Sequence, residues 1–367
     1  MREPNEIDFW RGFALVTIFV NHVPGIFFER FTFRNVSISD SAELFVLLAG
    51  VALRKLTDGP GKALSARWLL FRLEGRALTV YFAQLVIIQL AIALLAGASI
   101  LLDAPFLLDW HNASAIFNDP VHAHVGLVTL SYQLGYFDIL PLYVVLLIVS
   151  PLVALTHRRA PLIVLPISLA IYAAALASGF NFPIWPGEGD WFFNPLCWQL
   201  IYVLGFLLAG EDGIGAFARR RARELRWAAI PIVLIGAVAA LRDFSPDPID
   251  LPEPKLFFMF DKTYLSPARV AQSLALVALL AGAYPVIADL APRVSGFLAL
   301  LGRNSLNVFC AGSLLSLSGQ IIRFVFGGGI VTDAAIVIFG VGSLGATAWT
   351  SEWRDRLRAK SSRSSAA

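Results

Sequence analysis

Apolar segments of about 20 residues recur along this chain, and they restrict its possible folds more than any other sequence feature. A segment of that length crosses the hydrocarbon core of a bilayer as an α-helix. Only 15% of the residues are charged, whereas soluble domains have about a quarter. The sequence therefore predicts an all-α polytopic membrane protein with about ten transmembrane helices. The predicted spans are 7–27, 41–57, 77–101, 135–156, 162–178, 195–210, 227–241, 268–288, 296–322 and 329–349.

Basic residues are distributed unevenly between these spans. Lys and Arg cluster after the second, fourth, sixth and tenth spans and around the start of the ninth, whereas residues 102–134 and 179–194 contain neither. Cytoplasmic loops carry the excess of Lys and Arg, so the pattern predicts that both termini are cytoplasmic. The loop 242–267, with Lys255 and Lys262, is the exception. Because the clusters lie between apolar spans, no nucleic-acid partner is expected.

The chain is expected to form one membrane domain, because no loop is long enough to fold independently. Residues 1–353 are predicted to be this domain and residues 354–367 a basic, Ser-rich cytoplasmic tail. No small-residue cleavage site follows the first apolar run, so the first helix is expected to remain as an anchor. Cys197 and Cys310 lie inside apolar spans and predict neither a disulfide nor a redox site.

The first predicted span contains ionisable residues, which are costly within a membrane and therefore functional candidates. Arg11 and His22 are separated by eleven residues, or about three helical turns and about 16 Å of rise, so they share one helix face. Asp8 lies one turn before Arg11 and could pair with it. Alternatively, Arg11 extends to the lipid headgroups and His22 is an interfacial histidine. Spacing alone favours neither interpretation.

Further polar side chains gather at the outer ends of the spans. Glu43 or Asp138 could orient and charge-stabilise an imidazole, but either could equally be a helix cap. Trp191 belongs to a group of outer aromatic residues that fit an interfacial belt or sugar stacking. His122 and His124 lack the spacing and partners of a metal site, and no metal is expected. The polar residues that open the second, fourth and sixth spans are Ser41, Glu43, Tyr136, Asp138, Asn194 and Gln199.

Taken together, these motifs resemble a known family. Arg11 and His22 match the Arg-x10-His signature of the acyltransferase-3 group of membrane acyltransferases, and SAELFVLLAG resembles the second-helix motif of that group. Within it, the sequence is most similar to the OpgC family, the succinyltransferases of osmoregulated periplasmic glucans. The segments that carry this resemblance are DFWRGFAL, IFVNHVPG, GYFDILPLYVVLL, WFFNPLCWQL, DKTYLSPARV and LGRNSLNVFC.

The resemblance implies an acyltransferase-3-like bundle in a bacterial inner membrane. Its reaction would transfer a succinyl group from cytoplasmic succinyl-CoA to hydroxyls of periplasmic glucan, with succinyl-CoA as a substrate and no cofactor. His22 would act as general base or carry the acyl group itself, and the sequence does not separate these routes. Because Arg binds phosphate in a bidentate way, basic residues would hold the CoA phosphates. The donor-binding candidates are Arg11, Arg54, Lys55 and Arg303.

The expected site also includes carboxylate, amide and aromatic side chains. Glu43 and Asp138 are candidate catalytic carboxylates beside His22. The wider group often has a histidine late in the LGRNSL region, but residues 307–312 contain none, which argues against a mechanism with a second histidine. The candidates for acceptor binding or oxyanion stabilisation are Asn21, Tyr136, Asn194, Gln199 and Trp191.

A transporter or flippase for a glycan or an organic acid is the main alternative, because intramembrane Arg, His and Asp also suit ion-coupled transport. Transporters usually contain paired repeats with interrupted helices, and the Arg11/His22 helix has no counterpart in the second half. A sensor or scaffold would not need these buried groups. The expected partners are succinyl-CoA, periplasmic glucan, the lipid bilayer and glucan-synthesis machinery. The residues alone do not distinguish succinyl from another acyl group.

Overall fold

The computed structural model describes residues 4–59, 64–242 and 261–364. Regular structure in these ranges is helical apart from an isolated β-bridge between Pro183 and Asp190. Helices satisfy their own backbone hydrogen bonds, as a chain within a bilayer requires. The α-helices are α1 (Glu6–Asn21), α2 (Ser41–Asp58), α3 (Ala66–Leu101), α4 (Ser114–Asn118), α5 (Pro120–Thr129), α6 (Ile139–Arg159), α7 (Val164–Ser178), α8 (Pro195–Leu208), α9 (Gly213–Arg220), α10 (Ala222–Leu241), α11 (Pro267–Leu280), α12 (Ala283–Leu290), α13 (Pro292–Arg303), α14 (Ser305–Phe326) and α15 (Ile330–Ser364).

Several of these helices can cross a membrane. Among the described residues, six helical segments are long and apolar enough, namely α3, α6, α10, α14, α15 and α7 together with the 3-10 turn Pro161–Ile163 that precedes it. The number rises to eight if two bent pairs each form one span, α8 with α9 at 70° and α11 with α12 at 56°. The chain is therefore a multi-pass membrane protein, but the predicted count of ten spans is not confirmed. The cytoplasmic location of the termini stays a prediction. Lys255, which belongs to the exceptional loop of that prediction, lies outside the described residues.

The first two predicted spans account for the lower number. Helix α1 has 16 residues and rises about 24 Å, which is less than the roughly 30 Å thickness of the hydrocarbon core. Helix α2 has 18 residues but contains Glu43, Arg54, Lys55 and Asp58, so it is too highly charged to qualify by composition.

Two further predicted spans are interrupted. The segment 268–288 is divided between α11 and α12, where Gly282 has a positive φ of 80° that ends a regular helix. The segment 296–322 is divided between α13 and α14 at Asn304. The sequence did not predict either break, because one or two polar residues at a bend hardly lower the mean hydropathy of a segment of span length.

The chain forms two compact units, a terminal unit of Met1–Thr32 and Leu280–Ala367 and a central unit of Phe33–Leu279. In the terminal unit, α1 packs along α13 and also contacts α14. Gly12 and Gly302 permit this approach, since a Cβ on either would collide with the backbone of the facing helix. Helix α15 continues past Trp353, and the domain boundary placed there stays a prediction.

In the central unit, α2 packs along α8, and α3 packs on α6. Gly50 and Gly205 form the close contact between α2 and α8, because a Cβ on either would collide with a backbone carbonyl of the other helix. Lipid tails are as apolar as the side chains, so the hydrophobic effect does not hold transmembrane helices together. Small residues at such crossings instead let the helices approach closely and gain van der Waals contact. This packing fixes the helix ends from which the polar loops of the central unit extend.

The α1–α13 contact gives a stability prediction. Gly12→Ala places a methyl group against the carbonyl of Leu298, so we expect a loss of about 1–3 kcal/mol of unfolding free energy. Gly75→Ala in α3 is the matched control, because no atom lies within 4 Å of its added Cβ and alanine favours helix. Thermal unfolding in detergent measures both. Equal stability of Gly12→Ala and the unmodified protein would contradict the close packing.

Candidate functional site

His22 lies at the end of α1 rather than within a span. The helix begins at the cap residue Asn5, whose side-chain oxygen accepts the N–H of Asp8 at 3.0 Å. It ends at Asn21, and the N–H of His22 donates to the carbonyl of Ile18 at 2.9 Å. Arg11 and His22 are both half-buried. The packing of α1 on α13 therefore determines where the imidazole is presented.

The backbone after α1 is held by a set of side chains that we call the terminal clamp, consisting of Gln320, Arg323 and Asp333. Gln320 donates its side-chain N–H to the carbonyl of His22 at 2.6 Å. Arg323 donates to the carbonyls of Pro24 and Gly25, the latter at 2.8 Å. These bonds fix the segment that begins with His22.

Asp333 completes the terminal clamp from α15. Its carboxylate accepts Nε of Arg323 at 2.8 Å and the backbone N–H of Phe27 at 2.7 Å, and its side chain is 3% exposed. Sequence analysis did not single out this pair. Their positions in the sequence could have marked them as candidates, because charged groups in apolar spans are costly. Asp333 lies in the tenth predicted span, and Arg323 lies one residue after the ninth.

The terminal unit also contains Asn21 and Arg303. Asn21 is buried, and its side-chain oxygen accepts the hydroxyl of Thr32 at 2.8 Å. Arg303 ends α13 and donates Nε to Glu352 at 2.8 Å, while its buried Nη1 has no hydrogen-bond partner among the described residues. An anion is the natural partner for such a guanidinium nitrogen. Arg11, Asn21, His22 and Arg303 thus belong to one unit, and the remaining predicted site residues belong to the other.

The central unit contains a cavity of about 420 Å³, within the range of roughly 300–1,000 Å³ typical of small-molecule sites. Loops between the helices form its wall. Of the predicted site residues, Asp138 and Trp191 line it. The other polar lining residues, none of which was a predicted site residue, are Asn112, Gln133, Asp190 and Thr263.

Backbone hydrogen bonds fix the aromatic side of this cavity. The N–H of Trp191 donates to the carbonyl of Phe182 at 2.8 Å, and its carbonyl accepts the side-chain amide of Asn181 at 2.7 Å. The N–H of Asn194 donates to the carbonyl of Thr263 at 3.0 Å, which ties two wall segments together. The wall is therefore preorganised.

Asp138 lies immediately before α6, at the end of a constrained turn. Tyr136 has a φ of 66°, in the left-handed region that non-glycine residues rarely adopt, and its ring contacts the ring of His111. Gln84 donates its side-chain amide to the carbonyl of Phe137 at 2.7 Å. These contacts direct the Asp138 carboxylate into the cavity lining, whereas Tyr136 supports the turn.

Asn194 and Gln199 use their amides within the fold. Asn194 is fully buried, caps α8 by accepting the N–H of Leu196 at 3.0 Å, and donates to the carbonyl of Phe180 at 2.7 Å. Gln199 accepts the hydroxyl of Ser168 at 2.7 Å and donates to its carbonyl at 2.9 Å. Because these bonds occupy both ends of each amide, the geometry favours a supporting role over oxyanion binding.

Glu43 belongs to a buried charge cluster with Asp40, Lys262 and Arg269. Its carboxylate accepts Nε of Arg269 at 2.6 Å and the backbone N–H of Asp40 at 2.9 Å, forming the capping box of α2. Asp40 accepts the ammonium of Lys262 at 2.6 Å. Burial raises the pKa of Asp40, but the charges of Lys262 and Arg269 outweigh burial and hold it well below its usual range.

Arg54 is also fully engaged. It is 5% exposed and donates to Asp58 at 2.6 Å and to Asp212 at 2.7 Å, while its Nη1 contacts Nε2 of His157 at 2.8 Å. Asp212 immediately precedes α9, so its ion pair with Arg54 stabilises the bend between α8 and α9. The neighbouring Lys55 is exposed and remains accessible to an anion.

Comparison with known proteins identifies the family. The family model described as OpgC protein matches residues 2–356, nearly the whole chain. Searches of the curated proteins and of the solved structures give no match. The chain therefore belongs to the OpgC family, which implies an acyltransferase-type activity and a role in modifying osmoregulated periplasmic glucans.

Proposed function

We propose that this protein transfers a succinyl group from cytoplasmic succinyl-CoA to a glucose hydroxyl of periplasmic glucan across the bacterial inner membrane. The match of residues 2–356 to the OpgC family is the observation that carries this proposal. The multi-pass character of the chain supports it, because donor and acceptor are on opposite sides of the membrane. Both termini would then be cytoplasmic, as the distribution of Lys and Arg predicts.

In the proposed reaction, His22 removes the proton from the attacking hydroxyl. The hydroxyl oxygen forms a bond to the thioester carbonyl carbon, the carbon–sulfur bond breaks, and the proton passes to the CoA thiolate. In the second possible route, the imidazole first accepts the acyl group and then delivers it to the hydroxyl. The terminal clamp supports either route, because it fixes the backbone at His22.

The basic residues have distinct proposed roles. Arg11 and Arg303, both in the terminal unit, are the proposed contacts for CoA phosphates. Lys55, an exposed cation of the central unit, stays a donor-binding prediction. The unpaired Nη1 of Arg303 supports its assignment. Arg54 is proposed to be a positioning residue instead, because Asp58 and Asp212 already neutralise its guanidinium.

The product provides the direct test. Glucans from a strain lacking this protein should be less acidic and lighter by whole succinyl units than glucans from the parent strain, as measured by mass spectrometry. Complementation with the intact chain should restore the mass difference. Unchanged glucans would exclude the proposed function, and loss of a different acyl group would exclude the donor.

The terminal clamp gives a kinetic prediction. Asp333→Asn weakens the charge partner of Arg323, so we expect kcat of acyl transfer to fall about tenfold while KM for succinyl-CoA stays unchanged. Asp289→Asn is the control, because Asp289 is an exposed carboxylate of the same unit. Steady-state kinetics on purified, folded variants measure both constants. An unchanged kcat for Asp333→Asn would show that the clamp does not position His22.

A further inference from the structure

The cavity of the central unit is lined by acidic and neutral polar side chains, a composition that acyl transfer alone does not explain. Its polar lining combines the amides of Asn112 and Gln133 and the hydroxyl of Thr263 with the carboxylates of Asp138 and Asp190. In the part of the chain that the structure describes, this lining includes neither Lys nor Arg. Sugar hydroxyls donate readily to carboxylates and amide oxygens, whereas a carboxylate repels an anionic ligand. The lining therefore suits an uncharged polyhydroxyl ligand.

Lys262 does not reverse this charge balance. It precedes the lining residue Thr263, but its ammonium contacts the carboxylate of Asp40 at 2.6 Å. The same ammonium lies 5.8 Å from the ring centroid of Phe192 and 5.6 Å from that of Phe193. Because Asp40 already neutralises this cation, the exposed carboxylate of Asp190 gives the cavity an acidic character.

The rest of the wall fits the apolar face of a pyranose ring. Trp191 and Phe192 line the cavity together with Ile184. An aromatic ring packs against the C–H groups of a sugar while neighbouring acceptors bind its hydroxyls. Trp191 is held from both sides of its peptide unit, so this surface is present before a ligand arrives.

We propose that this cavity binds one uncharged glucose residue of the glucan and that Asp190 repels a residue that already carries an acidic group. The proposal rests on the proposed function, which supplies the glucan. Succinylation replaces a neutral hydroxyl with an anionic ester, so a modified residue would be excluded. The acidic cavity would therefore favour unmodified glucose residues over residues that already carry a succinyl group.

Equilibrium binding tests the proposal without any donor. The intact protein in lipid nanodiscs is titrated by calorimetry with a neutral β-glucan oligosaccharide, and with the same oligosaccharide after chemical monosuccinylation. We expect the succinylated form to bind at least tenfold more weakly. Asp190→Asn should reduce about tenfold the ratio of the two dissociation constants, succinylated over neutral. Asp138→Asn and Thr263→Val should each weaken binding of the neutral oligosaccharide about tenfold. Glu188→Gln is the control, because Glu188 is exposed beside the cavity but does not line it.

An unchanged affinity ratio in Asp190→Asn would show that Asp190 does not exclude modified residues, and would overturn the proposal. Equal affinity of the intact protein for both oligosaccharides, or unchanged binding by Asp138→Asn and Thr263→Val, would overturn the proposal. Displacement of the neutral oligosaccharide by coenzyme A would also overturn it, by showing that the cavity holds the donor. Failure of the proposed function is distinguishable, because glucans from the deletion strain would then keep their succinyl groups while the binding preferences persisted.

Discussion

His22→Ala should lower the rate of glucan acylation at least 100-fold while the protein remains folded and still binds succinyl-CoA. A positioned general base contributes about 10²–10⁴-fold to a rate, and an imidazole that carries the acyl group would be still more essential. Alanine leaves intact the backbone bond from Gln320, because that bond goes to the carbonyl of residue 22. Acylation of glucan by purified protein in nanodiscs measures the rate, and calorimetry measures donor binding.

Two other variants show whether this loss is specific. His124→Ala removes an exposed histidine of α5 and should retain full activity. Arg11→Ala should weaken succinyl-CoA binding, and Arg11→Lys should restore it only in part, because lysine lacks the planar bidentate fork. Full acylation by His22→Ala would exclude both the general-base and the acyl-carrier routes.

Sequence periodicity predicted the positions of the helices that stand alone in apolar runs. The segments 162–178 and 195–210 correspond closely to α7 and α8, because Pro and Gly mark their limits. It did not predict the break at Asn304, where apolar residues continue on both sides of Gly-Arg-Asn. It also extended the first predicted span to residue 27, since hydrophobicity continues past His22 although α1 ends at Asn21.

The side-chain partners of the candidate site were much harder to predict. Glu43 was recognised as a polar residue at a helix start, but its ion-pair partner Arg269 is 226 positions away. Likewise, the roles of Arg323 and Asp333 are visible only in the fold, where α14 and α15 place the two side chains against the loop after α1. Such pairs depend on tertiary packing, which leaves no local pattern in one sequence. The cavity is similar, because its wall is assembled from four separate loop segments.

Arg269→Met should destabilise the protein by about 3–5 kcal/mol, because it leaves the buried Glu43 without its cation. Glu43 is 1% exposed, and the side chain of Arg269 is 7% exposed, so water cannot replace the lost partner. Thermal unfolding in detergent should show a markedly lower midpoint. Arg221→Met is the matched control, since the ion pair of Arg221 with Glu224 is exposed and contributes little.

Adding Glu43→Gln to Arg269→Met separates a structural from a catalytic role of Glu43. Glutamine keeps the capping box of α2 and removes the uncompensated charge, so the double variant should recover most of the lost stability. If Glu43 only positions α2, glucan acylation should recover together with stability. A double variant that is stable but inactive would contradict this expectation, and would show that Glu43 or its partner Arg269 takes part in the reaction itself.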